Sequence, residues 1–368
     1  MNNEKVNEDK LYNIITFLLL VLSVFTIQNN NHNNQFQIII IFVSIFLLVV
    51  GFIKIGLDGL IVKKGIYVLG LVIVLFIFKF NNFLIIPFCL AIVFINYSPD
   101  LMLKSYYFSS KWNLIITFLL AIIGYSPLRN SSDGIITLGF SNENSLGLVI
   151  TFLSVLFLTQ IFQNNNKYGR ILTITLISIT IFINYFIIDD KTMVFAFIVF
   201  ILLVMFFKNV NKVKSFIAKL LSIVLPFYLL YESWNLTKNF GNSGLSLNLN
   251  EQLSNRLFMW NWYYQKMGIS LSSPTNRLAG YNFWGTIDGS YTLFLLQYGI
   301  VLAVFICLLL AISNYLLCKN NNYMFYSIML SFEIGAFSEN ILQFYTLTFI
   351  LVFSICSLYP GWLERGSK

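Results

Sequence analysis

The stretch SYTLFLLQYGIVLAVFICLLLAI, residues 290–312, runs twenty-three residues without a charge. About 20 apolar residues in a helix are enough to cross the hydrocarbon core of a bilayer. Similar runs occur at 12–27, 36–53, 65–80, 83–97, 112–126, 145–162, 171–188, 192–207, 215–231, 323–338 and 341–358. Composition agrees: 58% of the 368 residues are hydrophobic, 10% are charged, and the mean hydropathy is +0.77. A soluble domain carries about 25% charged residues, so this chain cannot cover a globular surface and takes lipid as its main solvent. The expected fold is all-α: one polytopic integral membrane domain, residues 1–368, with about twelve spans.

Charge distribution orients those spans. With the N-terminus in the cytoplasm, sixteen Lys and Arg residues fall inside. Only Lys79, Arg129, Lys191, Lys238, Arg256, Lys266 and Arg277 fall outside. This is the positive-inside bias, and it explains the net charge of +8 without nucleic acid or another acidic partner. Both termini are expected in the cytoplasm. The first apolar stretch has no small-residue cleavage site after it and reads as an uncleaved anchor. The four cysteines lie in or beside apolar runs and show neither metal-ligand spacing nor a disulfide framework. The only histidine, His32, sits in an asparagine-rich loop, and residues 99–111 read as an interfacial helix.

Most connections are short, but residues 232–289 form one long external loop, which marks the outer face as the place for function. A smaller external loop covers 127–144. Within the long loop, Asn250–Met267 reads as an amphipathic helix capped by Asn250 and ended by Gly268. Leu253, Leu257, Trp260, Tyr264 and Met267 share one face; Arg256, Tyr263 and Lys266 fall on another. The aromatics suit an interfacial belt, or alternatively a surface for sugar rings. Cations stand where positive charge is disfavoured, and Arg suits phosphate oxygens. Asp133, Glu143, Asp189, Asp190 and Asp288 bring carboxylates to the same face, with Asp190–Lys191 readable as a solvated ion pair. Glu333 lies within the eleventh span and Glu339 at the turn after it, where acids are costly and functional by default.

Residues 254–301 (SNRLFMWNWYYQKMGISLSSPTNRLAGYNFWGTIDGSYTLFLLQYGIV) resemble the O-antigen and capsular polysaccharide polymerases of the O-antigen ligase superfamily. The shared elements are Asn255–Arg256, Trp260, Leu278–Gly280 and Asp288–Gly289–Ser290–Tyr291. GFSNENSLG (139–147) is similar to the family's Asn motif, with Asn144 its last Asn and Glu143 replacing a Pro. DDKTMVFAF (189–197) is similar to its Ser-Arg-Thr element, with Lys191 replacing Arg. Ligases carry a histidine where this chain has Asp288, which favours a polymerase over a ligase.

The resemblance implies a glycosyltransferase of the bacterial plasma membrane that needs neither metal nor nucleotide sugar. It moves a growing glycan from undecaprenyl pyrophosphate onto the non-reducing end of a lipid-linked repeat, beside a chain-length-controlling membrane partner. On this expectation Arg256, Arg277, Lys191 and Arg129 grip the donor pyrophosphate, and Asp288, then Glu143, accepts the acceptor's proton. Lys266, Asn144, Tyr291, Trp260 and Glu339 complete the substrate site. The rival readings are a lipid-linked oligosaccharide flippase, a solute transporter, an O-antigen ligase and a polyprenyl-phosphate-sugar glycosyltransferase.

Overall fold

The structure is a computed structural model, and it describes residues 61–77, 82–129, 134–140, 142–164, 169–241, 244–272, 287–342 and 349–366. The runs at 12–27 and 36–53, His32, Asp133 and Arg277 lie outside these residues. Among the described residues the fold is all-helical, with no strand beyond one isolated bridge between Arg129 and Ile136. The helices are α1 (Ile61–Ile77), α2 (Asn82–Phe94), α3 (Pro99–Ile122), α4 (Glu143–Asn164) and α5 (Gly169–Phe182), which ends in a π turn at Ile183–Ile187. Next come α6 (Lys191–Phe207), α7 (Lys212–Asn239), α8 (Gly244–Gln252) and α9 (Arg256–Met267). α10 (Ser290–Leu293) runs into a π turn at Phe294–Tyr298, followed by α11 (Ile300–Lys319), α12 (Tyr323–Gly335) and α13 (Phe349–Ser357).

Among the described residues, three helices are long and apolar enough to cross a bilayer: Glu143–Phe162, Lys212–Asn239 and Ile300–Lys319. The way α7 distributes its side chains shows what it is built for. Phe216, Leu220, Ile223, Val224, Tyr228 and Tyr231 recur at helical spacing and point away from the protein. Its opposite face, carrying Ala218, Ser222, Pro226, Ser233 and Thr237, is buried, and α7 packs against α11. Large apolar residues outside and small or hydroxylated ones between helices is the arrangement lipid imposes, because small contacts let helices approach closely. Two of the hydroxyls are satisfied locally: Ser222 and Thr237 donate to the carbonyls of Ala218 and Ser233, 2.7 and 2.6 Å away. Tyr326 of α12 donates to Ala218 O at 2.9 Å and ties α12 to α7. Glu333 is clamped between α11 and α12, where Asn314 Nδ2 donates to its Oε1 at 2.6 Å.

Several expected boundaries move. α3 starts at Pro99, with Ser98 accepting from Leu101 N at 3.3 Å as its N-cap, so residues 99–111 are the first half of a long helix instead of a separate interfacial one. Pro99 supplies the fixed φ that favours this start. The run 290–312 is not continuous either. Gly299, at φ +94°, breaks it, and α11 spans 300–319. The segment 299–301 leans on the loop after α9, with Ile300 N and Val301 N donating to Ser270 O and Leu271 O, both at 3.0 Å. The amphipathic helix expected over 250–267 is two helices, α8 and α9, because Ser254 and Asn255 take left-handed conformations between them. Asn250 still caps, but from behind: its Oδ1 accepts from Phe258 N at 2.9 Å and its Nδ2 donates to Asn255 Oδ1 at 2.9 Å. At the far end of the bundle the last turn of α2 is closed by donors from the C-terminal segment. Trp362 Nε1 reaches Phe94 O at 3.0 Å and Arg365 Nη1 reaches Ile95 O at 2.7 Å.

A side chain at Gly299 meets two obstacles. Its φ belongs to the left-handed half of the map, and a Cβ would lie 2.8 Å from Ser270 O. Gly241 has a similar φ of +85° with open space around it. Gly299→Ala should therefore lower stability by about 2 kcal/mol or more, and Gly241→Ala by about 1, as read from thermal melts of detergent-solubilised protein.

Candidate functional site

α9 and the long connection carrying it fold onto one end of the bundle. Leu257, Trp260, Tyr263, Ile287, Leu293 and Leu296 form a small apolar core there, backed by Leu236 of α7 and Phe337. Asn261 Nδ2 donates to Thr237 O at 2.8 Å and anchors α9 to the end of α7. Burial on this side draws Arg256, the first residue of α9, into the protein, where it is 8% exposed.

The Arg256 guanidinium is engaged on every side. Nε pairs with Asp288 Oδ2 at 3.4 Å, Nη2 pairs with Glu339 Oε1, and Nη1 donates to Thr192 Oγ1 at 3.5 Å. Ser338 Oγ donates to the same Thr192 hydroxyl at 3.3 Å. Burial opposes the charge of Arg256, but Glu339 and then Asp288 outweigh it and raise its pKa. Arginine keeps its proton in proteins, so burying it demands carboxylates.

Two turns, 287–290 and 336–342, present these carboxylates, and the turns are stitched together. Ser290 N donates to Ala336 O and Glu339 O at 2.8 and 3.1 Å, and its Oγ donates to Glu339 O at 2.9 Å. Leu342 N returns a bond to Ser290 Oγ at 3.1 Å. Asn340 Nδ2 donates to Ile287 O at 2.7 Å and to Asp288 Oδ1 at 3.3 Å. Gly289, at φ +95°, makes the close approach possible, since a Cβ there would lie 2.7 Å from both Phe337 O and the Trp260 ring. α12 has thirteen residues and is thus only ~20 Å long. The turn that follows it is sunk into protein, with Ala336 and Leu342 fully buried.

Asp190 lies next to this cluster at the start of α6. Its Oδ1 accepts from Met193 N at 3.0 Å and caps the helix. Burial pushes its pKa up to about 7; the Met193 N–H and the Arg256 charge oppose the rise, and the charge of Glu143 adds to it. Beside Thr192 and Ser338 opens a cavity of about 330 Å³. Phe195, Leu229, Leu253, Ile334 and Phe337 give it apolar walls, while Lys191 and Gln252 add polar groups.

The expected site residues separate into groups. Arg256, Asp288 and Glu339 come together, and Glu143 is near enough to act on Asp190. Lys191 borders the cavity, but its ion-pair partner is Asp189 at 3.5 Å, both largely exposed, while Asp190 is buried. The solvated Asp190–Lys191 pair is therefore corrected by one residue. Trp260 is fully buried and donates through Nε1 to Asp288 O at 2.6 Å, so it positions the Asp288 turn and cannot stack on a sugar. Tyr291 is likewise fully buried and offers no surface to a substrate. Arg129 stands exposed on its bridge with Ile136, and exposed Lys266 lies over the Trp262 ring at 5.9 Å. Asn144 sits partly exposed in the first turn of α4. A guanidinium so occupied is not a free phosphate grip, which corrects the role expected of Arg256. The sequence does not single out Thr192 or Asn340, and it names Ser290 only within the Asp288–Tyr291 element. Of these, only the Asp190 cap preceding Thr192 leaves a local trace, an Asp directly before a helical run.

The chain matches no protein-family model, no curated protein and no solved structure.

Removing one partner of a buried ion pair leaves the other charge uncompensated. Arg256→Ala should destabilise the protein by about 3–5 kcal/mol, measured by thermal unfolding in detergent. Arg256→Lys should recover only part of this, since an ammonium cannot address three partners in one plane.

Proposed function

We propose that the chain is a membrane-embedded polysaccharide polymerase that joins lipid-linked glycan repeats at the outer leaflet of a bacterial plasma membrane. The chain then has about twelve spans, with both termini inside and the 232–289 connection outside. One observation carries this reading: the buried arginine that holds the Asp288 carboxylate also reaches Thr192, which lines a mostly apolar cavity bordered by Lys191.

Each part has a role in moving a glycan from undecaprenyl pyrophosphate to a sugar hydroxyl. Asp288 is the most open of the carboxylates on Arg256, its side chain 28% exposed against 6% for Glu339. It accepts the proton as the acceptor hydroxyl attacks the anomeric carbon. Arg256, Asn340 and the Trp260 bond to its backbone fix its position. The anomeric carbon–oxygen bond breaks as the new glycosidic bond forms, and the departing pyrophosphate takes up negative charge. Lys191, whose exposed ammonium pairs with the exposed Asp189, meets that charge. The apolar walls of the cavity accept the first part of the polyprenyl chain. Four acids beside one buried cation would repel an anion placed directly on Arg256, so the donor's phosphates sit at the Lys191 edge.

Deleting the gene and resolving the lipid-linked glycans on a gel tests the reading. A polymerase loss leaves single repeats displayed outside. Repeats trapped on the inner face identify a flippase instead and overturn the proposal. Asp288→Asn should reduce polymer formation by about 10²-fold or more with the protein still in the membrane. Lys191→Ala should act mainly on donor affinity.

A further inference from the structure

Between α4, α5 and α6 lies a buried polar knot that the proposed reaction does not use. Asp190 is 2% exposed, and its Oδ2 has no hydrogen-bond partner. Asn184, in the π turn that ends α5, is fully buried. Its Nδ2 donates to Thr180 O at 3.0 Å and Thr151 Oγ1 at 3.2 Å, which leaves Oδ1 without a donor. The two orphaned oxygens crowd the same glycine. A Cβ on Gly147 would come within 2.3 Å of Asp190 Oδ2 and 3.0 Å of Asn184 Oδ1. A third buried acceptor, Glu143 Oε2, is also unpartnered.

Acceptors without a donor are costly when buried, and each demands an explanation. Turning the Asn184 amide over would set its Oδ1 against the Thr180 carbonyl, which can only accept, so Nδ2 faces Thr180 and Oδ1 faces Asp190. A single proton shared between the two oxygens would satisfy both. We propose that Asp190 carries an exchangeable proton on Oδ2, donated to Asn184 Oδ1, and that losing it sets one more negative charge beside Arg256 and weakens the site for an anionic donor. The second half rests on the reading of the site as one that takes a pyrophosphate-linked donor.

The charges facing Asp190 set the balance. Glu143 from α4 and Glu339 from the turn after α12 favour the neutral acid; Arg256 from α9 favours the carboxylate. On its own segment, Asp189 and Lys191 are exposed and paired with each other. Asp288 and Glu339 are the ion-pair partners of Arg256, and ionising Asp190 sets one more negative charge beside it. Burial, the largest influence, pushes the Asp190 carboxyl up to about 7, which places this change near neutral pH. Donor binding is thus favoured below it and lost as pH rises. Asp190 acts through Arg256 and is a positioning residue.

Infrared pH titration of the purified full-length protein tests the proton. Beside any band from the buried Glu333 and Glu339 carboxyls, the wild type should show a protonated-carboxyl component lost near pH 7 that is missing from Asp190→Asn, whose amide replaces the acid as donor to Asn184. Glu143→Gln, which removes a neighbouring negative charge, should move the midpoint to lower pH and keeps the test available if Asp190→Asn fails to fold. Identical band titration in the wild type and Asp190→Asn, or an unmoved midpoint in Glu143→Gln, overturns the proton assignment. Inorganic pyrophosphate binding tests the gating. Wild-type affinity should fall by roughly tenfold between pH 6 and 8, the effect of one further charge at this range, and stay level in Asp190→Asn. Affinity that falls equally in both proteins overturns the gating. A wild type that binds no pyrophosphate at either pH overturns the donor reading and the gating with it, while the proton assignment is judged by the infrared result alone.

Discussion

A guanidinium cannot be left alone inside a protein, and much of the described structure at this end of the bundle follows from burying one. Arg256 cannot discard its proton, so its burial requires Asp288 and Glu339 to be delivered to it from turns 32 and 83 residues further along the chain. The Ser290 and Asn340 bonds, the bare Gly289 and the Trp260 indole are the means of delivery. The same arrangement explains why α10 starts where it does: Ser290 spends its hydrogen bonds on the partner turn while its backbone opens the helix. An arginine with two carboxylates gains specificity of position more than net stability, since desolvating three charges costs about what their attraction returns.

Membrane character was legible in the sequence because lipid acts on composition, which needs no knowledge of contacts. Most described helices fall within a few residues of the apolar runs. The misreadings share one cause. Hydropathy is blind to backbone conformation, so it could not see Gly299 interrupt an apolar run, or Ser254 and Asn255 divide a helix. It also merged nothing across Lys104 and Lys111, where α3 in fact continues unbroken from Pro99.

At the site, charge on a disfavoured face singled out Arg256, and depth singled out Glu339. Their pairing was not visible, because no spacing rule connects positions so far apart. Burial reversed the expectation for Trp260 and Tyr291: a residue type that suits sugar stacking serves here as packing. Asp189 and Asp190 are neighbours of the same kind, and only the helix start, which turns one inward as cap and leaves the other outside, tells them apart.

On the proposed function, the Asp288 carboxylate serves a reaction that lengthens a lipid-linked glycan within the membrane. Reconstituting the purified protein into liposomes with a synthetic undecaprenyl-pyrophosphate repeat, and following glycan length and released lipid pyrophosphate together, addresses it directly. The account predicts a ladder of longer glycans, with one lipid pyrophosphate freed for each repeat joined. Repeats that cross the bilayer or remain in place without any new glycosidic bond would contradict it.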